Sequence, residues 1–115
     1  AEHALLCAAC GVPEIVVEYQ HMGAAWKDHY RGWAVQFRER LEGRLGFIDG
    51  KVGHLWHGHV QNRGYGTRYQ DFAEFEFDPD RDLSLSPCRS WRWASDKRAM
   101  HQYVRDYFVA RKEDG

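Results

Sequence analysis

The chain has 115 residues, of which 43% are hydrophobic, 15% aromatic and 29% charged; this is enough for one domain with one core and too little for two. A formal net charge of −1 supplies no global field for nucleic acid or an acidic membrane surface, and no apolar run approaches the roughly eighteen residues of a membrane span. The three cysteines are an odd number, and the N-terminus lacks a basic stretch followed by an apolar run, so the expected setting is the reducing cytoplasm.

In chain order, EHALLCAACGVP predicts a short helix that begins at or before residue 1, stopped by Gly11 with Pro13 just beyond. EIVVEY, Glu14 to Tyr19, predicts a strand. Trp26, Tyr30, Trp33, Phe37 and Leu41 recur every three or four residues and predict a long helix with one aromatic face. In GFIDGKVGHLWHG, Asp49-Gly50 is a turn dipeptide between two β-prone pieces and predicts a hairpin, with His54 and Trp56 on one strand face and Leu55 and His57 on the other. The glycines of RGYGTR mark a loop. Thr67 is placed to cap a helix through Tyr69, Phe72, Ala73 and Phe75, which Asp78-Pro79 would stop. DPDRDLSLSPCRSWRWAS reads as a loop. Ser95 is placed to cap a last helix whose stripe is Met100, Tyr103, Val104, Tyr107 and Phe108, followed by a solvated RKEDG tail.

Several residues carry possible chemistry. Between Asp49 and Asp71 there is no carboxylate, while Lys51, His54, His57, His59, Arg63 and Arg68 all fall there; the segment favours an anionic ligand. Neutral imidazoles bind divalent metals, so His54 and His57, or His57 and His59, are candidate co-ligands, against the alternative of one histidine bonded to a carbonyl and the others facing water. Arg63 and Arg68 flank a glycine loop, where a guanidinium fork grips phosphate oxygens or else lies solvated. Cys7 and Cys10 have the spacing of a zinc knuckle, which Cys88 or histidines would have to complete, but LLCAAC also reads as the buried face of a helix. Glu2 is either an end-of-helix charge or a pocket-facing general base. Asp78, Asp80 and Asp82 suggest a turn rather than a calcium loop, since the glycine and distal glutamate of an EF-hand are absent. Trp91 and Trp93 offer ring faces to a sugar or a base, or cap the core.

The order of these pieces resembles a known family. HLWHG, NR-x-Y-x-x-R, an aromatic helix leading into FDP-x-x-DL, a Trp-rich loop and K-x-x-x-H-x-x-V-x-x-YF-x-x-R-x-ED together resemble the C-terminal portion of bacterial and phage glycosyltransferase-like proteins of the GT-A type, near family 2. The similarity spans residues 47 to 114, and EHALL resembles the helix after the acidic catalytic motif. The resemblance implies an α+β fold: the helix-rich C-terminal portion of a GT-A nucleotide-diphospho-sugar transferase with a small β-hairpin, lacking the N-terminal nucleotide-binding half. It further implies a nucleotide-sugar donor and a sugar acceptor, with a divalent metal (manganese or magnesium) whose shell His54 or His57 completes. By the same resemblance Arg63 and Arg68 bind the diphosphate, Glu2 is the base that deprotonates the acceptor, and Trp56, Trp91 and Trp93 stack on sugar. Asp78 and Asp80 have D-x-D spacing but follow the histidines in a predicted turn, and are not assigned that role. Without its nucleotide-binding half the chain is expected not to catalyse transfer alone. Two rival expectations are a zinc-stabilised binding module built on Cys7, Cys10 and histidines, and a non-catalytic homo-oligomer joined through aromatic helices.

Overall fold

The computed structural model describes residues 2–53 and 59–112. Its elements are α1 (Glu2–Cys10), α2 (Glu14–Tyr19), α3 (Ala24–Leu41), a 3₁₀ turn (Val60–Arg63), α4 (Arg68–Ala73), α5 (Pro79–Asp82), β1 (Leu83–Leu85), β2 (Trp91–Trp93) and α6 (Arg98–Arg111). The molecule is thus a small, helix-rich α+β protein. Among the described residues no helix is long and apolar enough to cross a membrane.

Helix α1 ends where expected, because Gly11 adopts φ +75°, a left-handed geometry that glycine reaches without a Cβ penalty. The expected strand at Glu14–Tyr19 is instead the helix α2. Two features overturn the strand: Pro13, already at φ −60°, ψ −26°, starts a helical turn, and the adjacent Val16 and Val17 are both buried against α1 and α3. Alternation would have buried only one of them. Glu14 then meets Arg31 of α3 in a two-pronged ion pair, at 2.8 and 2.6 Å.

The aromatic face of α3 forms as its spacing predicts. Tyr30 and Ala34 pack with Cys7, Ala8, Val16, Val17 and Met22, flanked by half-buried Trp26 and Phe37. The Tyr30 hydroxyl donates to the Ala4 carbonyl at 2.8 Å, which fixes α1 across α3. Further along the face, Trp33 stacks on Phe37 at 4.8 Å. Trp26 turns the other way, edge-on to Phe72 and Phe77 at 5.8 and 5.6 Å, and so links α3 to the C-terminal elements.

The hairpin expected around Asp49-Gly50 is absent from residues 44–53, which hold no regular structure. Phe47, Ile48 and Val52 are almost fully exposed. A two-stranded ribbon is marginal in water without a surface to pack on, and no strand lies beside this segment among the described residues. The hairpin that does form is β1–β2, antiparallel with Leu83 opposite Trp93 and Leu85 opposite Trp91, in a stretch expected to be loop. It is held at its base by Asp82, whose carbonyl accepts from the Ala94 amide at 2.8 Å. Asp78 caps α5 by accepting from the Asp80 amide, with Pro79 at the first helical position. The expected caps Thr67 and Ser95 do not serve: Thr67 makes no side-chain cap bond, and α6 starts at Arg98 behind Lys97, whose ammonium reaches back to Asp82 at 2.9 Å. Helix α4 stops at Ala73, well before Pro79.

Candidate functional site

Elements α1, α2, the 3₁₀ turn, α4 and α6 converge on one polar cleft of about 390 Å³. The first turn of α1 contributes Glu2 and His3, the 3₁₀ turn and the start of α4 contribute Arg63 and Arg68, and α6 contributes Tyr107 and Arg111. The geometry follows from the local sequence. Gly64, at φ +53°, lets the chain reverse between Arg63 and Arg68, so that both arginines face the same way from a five-residue separation.

Arg68 is held from several sides. Its guanidinium lies over the rings of Tyr65 and Tyr69, 4.5 and 4.6 Å from their centroids, in cation–π geometry. Nη1 donates to the Tyr107 hydroxyl at 3.0 Å and Nη2 to the Tyr69 hydroxyl at 2.9 Å. In turn the Tyr103 hydroxyl donates to the Arg68 carbonyl at 3.1 Å. Burial works against the Arg68 charge, but the surrounding tyrosine oxygens outweigh it and raise its pKa. Among the described residues no carboxylate comes within ion-pair distance of this guanidinium. A half-buried cation braced by neutral oxygens alone retains a strong pull on an anion.

The field extends to the neighbours. Arg63 donates to the Tyr65 hydroxyl at 3.0 Å; that bond, reinforced by the charges of Arg63, Arg68 and Arg111, pulls the Tyr65 pKa below its ordinary range. Arg111 lies 5.5 Å from the centroids of Tyr107 and Phe108. The three guanidiniums of the cleft suit an oxyanion with more than one charge, and the Glu2 carboxylate also lines it.

The structure therefore brings together three of the residues singled out in the sequence, Glu2, Arg63 and Arg68. It adds His3, Tyr65, Tyr69, Tyr107 and Arg111; by sequence Tyr107 falls in a packing stripe and Arg111 in a solvated tail. The signal was present in the i, i+4 spacing of Tyr107 and Arg111 on α6. His54, Trp56 and His57 lie outside the described residues. Trp91 and Trp93 share β2 but do not line the cleft; Trp91 is exposed, and Trp93 stacks on His101 at 4.4 Å, so one of its faces is already covered. Cys7 is buried in the core and Cys10 is exposed. No group of three or more His, Cys, Asp or Glu side chains converges among the described residues.

Cys88 is a separate feature at the tip of β1–β2. Hydrogen bonds from the Ser86 and Ser90 hydroxyls lower its pKa to about 7, so its alkylation by iodoacetamide should rise with pH to a midpoint near that value. Ser90→Ala removes one of the two hydroxyls and should move the midpoint upward, as read by mass spectrometry of the labelled peptide. An unmoved midpoint would show that the hydroxyls do not set the acidity.

No family model, no curated protein and no solved structure matches this chain.

Proposed function

We propose that the chain is the acceptor-side region of a nucleotide-sugar-dependent glycosyltransferase of the GT-A type, in which Arg63 and Arg68 hold the diphosphate that departs as the sugar is transferred. The observation that carries this reading is the convergence of Glu2 with Arg63 and Arg68 on one cleft. The resemblance, resting on sequence alone, assigns these three residues to the base and the diphosphate site, although sixty-odd positions separate Glu2 from the arginines.

In the transfer, an acceptor hydroxyl forms a bond to the anomeric carbon while the bond from that carbon to the diphosphate oxygen breaks. Glu2 takes the proton of the attacking hydroxyl. The guanidiniums meet the negative charge that develops on the leaving diphosphate, which is electrostatic stabilisation in a partly desolvated site rather than covalent chemistry. A divalent cation, manganese or magnesium, adds further neutralisation when bound, and His54 and His57 are the residues proposed to hold it. The described part of the cleft offers only Glu2 and His3 as carboxylate and imidazole donors, so the described residues act on the diphosphate through their own charges. The reading requires a nucleotide-binding half with a D-x-D metal motif. The exposed apolar side chains Leu6 and Ile15 would suit contact with such a half or with a second copy of the chain. The thiols Cys7, Cys10 and Cys88 are free, which suits the proposed cytoplasmic setting.

Calorimetric titration with a panel of nucleoside diphosphates, with and without manganese, tests the proposal. Manganese should tighten nucleotide binding by the wild type and lose that effect in His54→Ala. A manganese effect indifferent to His54 would remove that histidine from the site. Failure of every nucleoside diphosphate to bind would remove the diphosphate role of Arg63 and Arg68.

A further inference from the structure

The arginine cleft shares a wall with a second pocket. Arg68, Tyr69 and Tyr107 line both, and on the far side Trp26 of α3, Phe72 of α4 and Tyr103 of α6 line an open groove of about 330 Å³. That volume falls at the lower end of small-molecule sites. The pocket follows directly from the packing: Trp26 stands edge-on to Phe72, with ring planes at 88°, and Phe72 and Tyr103 are tilted at 33° with centroids 6.2 Å apart. These edge-on and tilted contacts leave an open groove lined mostly by ring atoms.

The hydroxyls of this wall are already engaged. The Tyr103 hydroxyl donates to the Arg68 carbonyl, and the Tyr69 and Tyr107 hydroxyls accept from the Arg68 guanidinium. A sugar entering the pocket would lose the water around its hydroxyls and gain few hydrogen bonds in exchange, whereas a flat apolar ring loses nothing of that kind and gains stacking faces. The one charged group in the wall, Arg68, also serves the anion cleft. The two sites are thus one side chain apart, and a single molecule with a ring at one end and a phosphate at the other can span them.

We propose that the aromatic pocket is a ring subsite of the arginine cleft, taking the flat apolar ring of the molecule whose phosphate Arg63 and Arg68 hold. This rests on the phosphate-binding role of the cleft given above. The ring has two possible sources, the base of a nucleotide or an aryl group on the acceptor, and both present the same chemistry to the pocket.

Two pairs of probes separate these sources. Phenyl phosphate is compared with inorganic phosphate, and uridine 5′-monophosphate with ribose 5-phosphate, by NMR titration that follows the Trp26 indole N–H. One stacked ring corresponds to about a tenfold gain in affinity. The expected result is such a gain in at least one pair, accompanied by a shift of the Trp26 signal; a gain in the uridine pair identifies a base, and a gain in the phenyl pair alone identifies an aryl group. Val104→Trp, which fills the pocket, should abolish the gain and leave inorganic phosphate binding unchanged, and Phe72→Leu should reduce it, with melting curves confirming that each variant is folded. Equal affinities within both pairs, or a gain that survives Val104→Trp, would overturn the ring subsite while leaving the phosphate cleft standing. If inorganic phosphate and all three organic phosphates fail to bind, the cleft and the subsite fall together.

Discussion

Asp82→Ala is expected to lower the free energy of unfolding by about 1–3 kcal/mol, the range for leaving a buried donor without its acceptor. Asp82 is 1% exposed, and one of its carboxylate oxygens accepts both the Asp78 amide at 2.8 Å and the Lys97 ammonium at 2.9 Å. Alanine leaves the Asp78 amide without its acceptor and Lys97 with only the Glu76 carbonyl, so the joint between α5, the hairpin and the start of α6 opens. Lys97→Ala should also destabilise, because it takes the only ammonium from a buried carboxylate and leaves it the Asp78 amide as donor. The pH dependence has a definite sign. Burial alone would raise the Asp82 pKa, but the Asp78 amide and Lys97 outweigh it and the net shift is downward. A carboxylate whose pKa is lower folded than unfolded contributes stability above the ordinary Asp value of 3.8 and loses it as pH falls through the folded value. Urea unfolding should therefore separate wild type from Asp82→Ala at pH 7 and bring them together in strong acid. A difference below about 1 kcal/mol at pH 7 would show that the carboxylate is not the joint described.

Arg68→Ala is expected to weaken binding of pyrophosphate by about tenfold to a hundredfold, the loss of one or two charge-assisted hydrogen bonds. Lysine should not restore it. The fork of Arg68 engages two tyrosine hydroxyls and lies over two rings at once, and a point-charge ammonium cannot hold that arrangement while also facing an anion. Because the binding is electrostatic, it should also weaken as salt is raised. Calorimetry on wild type, Arg68→Ala and Arg68→Lys at two ionic strengths checks all three statements. The Asp82 variants provide a control, since Asp82 does not line the cleft and their folded fraction should bind as the wild type does.

How much of this was legible in the sequence depended on periodicity. Helices α3 and α6 have stripes of large side chains at helical spacing, and both formed where the stripes place them. Glu14–Tyr19 was misread because its central Ile15, Val16 and Val17 are β-branched, and propensity lost to the burial of two adjacent valines beside α1. The segment around Phe47 and Ile48 shows the converse: it is strand-prone, yet it takes no strand where none among the described residues pairs with it. The β1–β2 hairpin lay hidden in a stretch rich in Asp, Ser and Pro, because its stability comes from Asp82 and Lys97, fifteen residues apart, rather than from its own three-residue strands. For the site, the chemistry of single residues was readable and their meeting was not. Arg63 and Arg68 could be paired from the glycine between them, but nothing local could bring Glu2 or Arg111 to the same cleft.

The central claim is that the cleft of Glu2, Arg63 and Arg68 is a phosphate site, and NMR of the arginine side-chain Nε–H groups during a pyrophosphate titration tests it most directly. The prediction is saturable shifts at Arg63, Arg68 and Arg111, with Arg98 and Arg105, which line a separate pocket beside Trp93, left unmoved. Shifts centred on Arg98 and Arg105, or no saturable shift at any arginine, would contradict it.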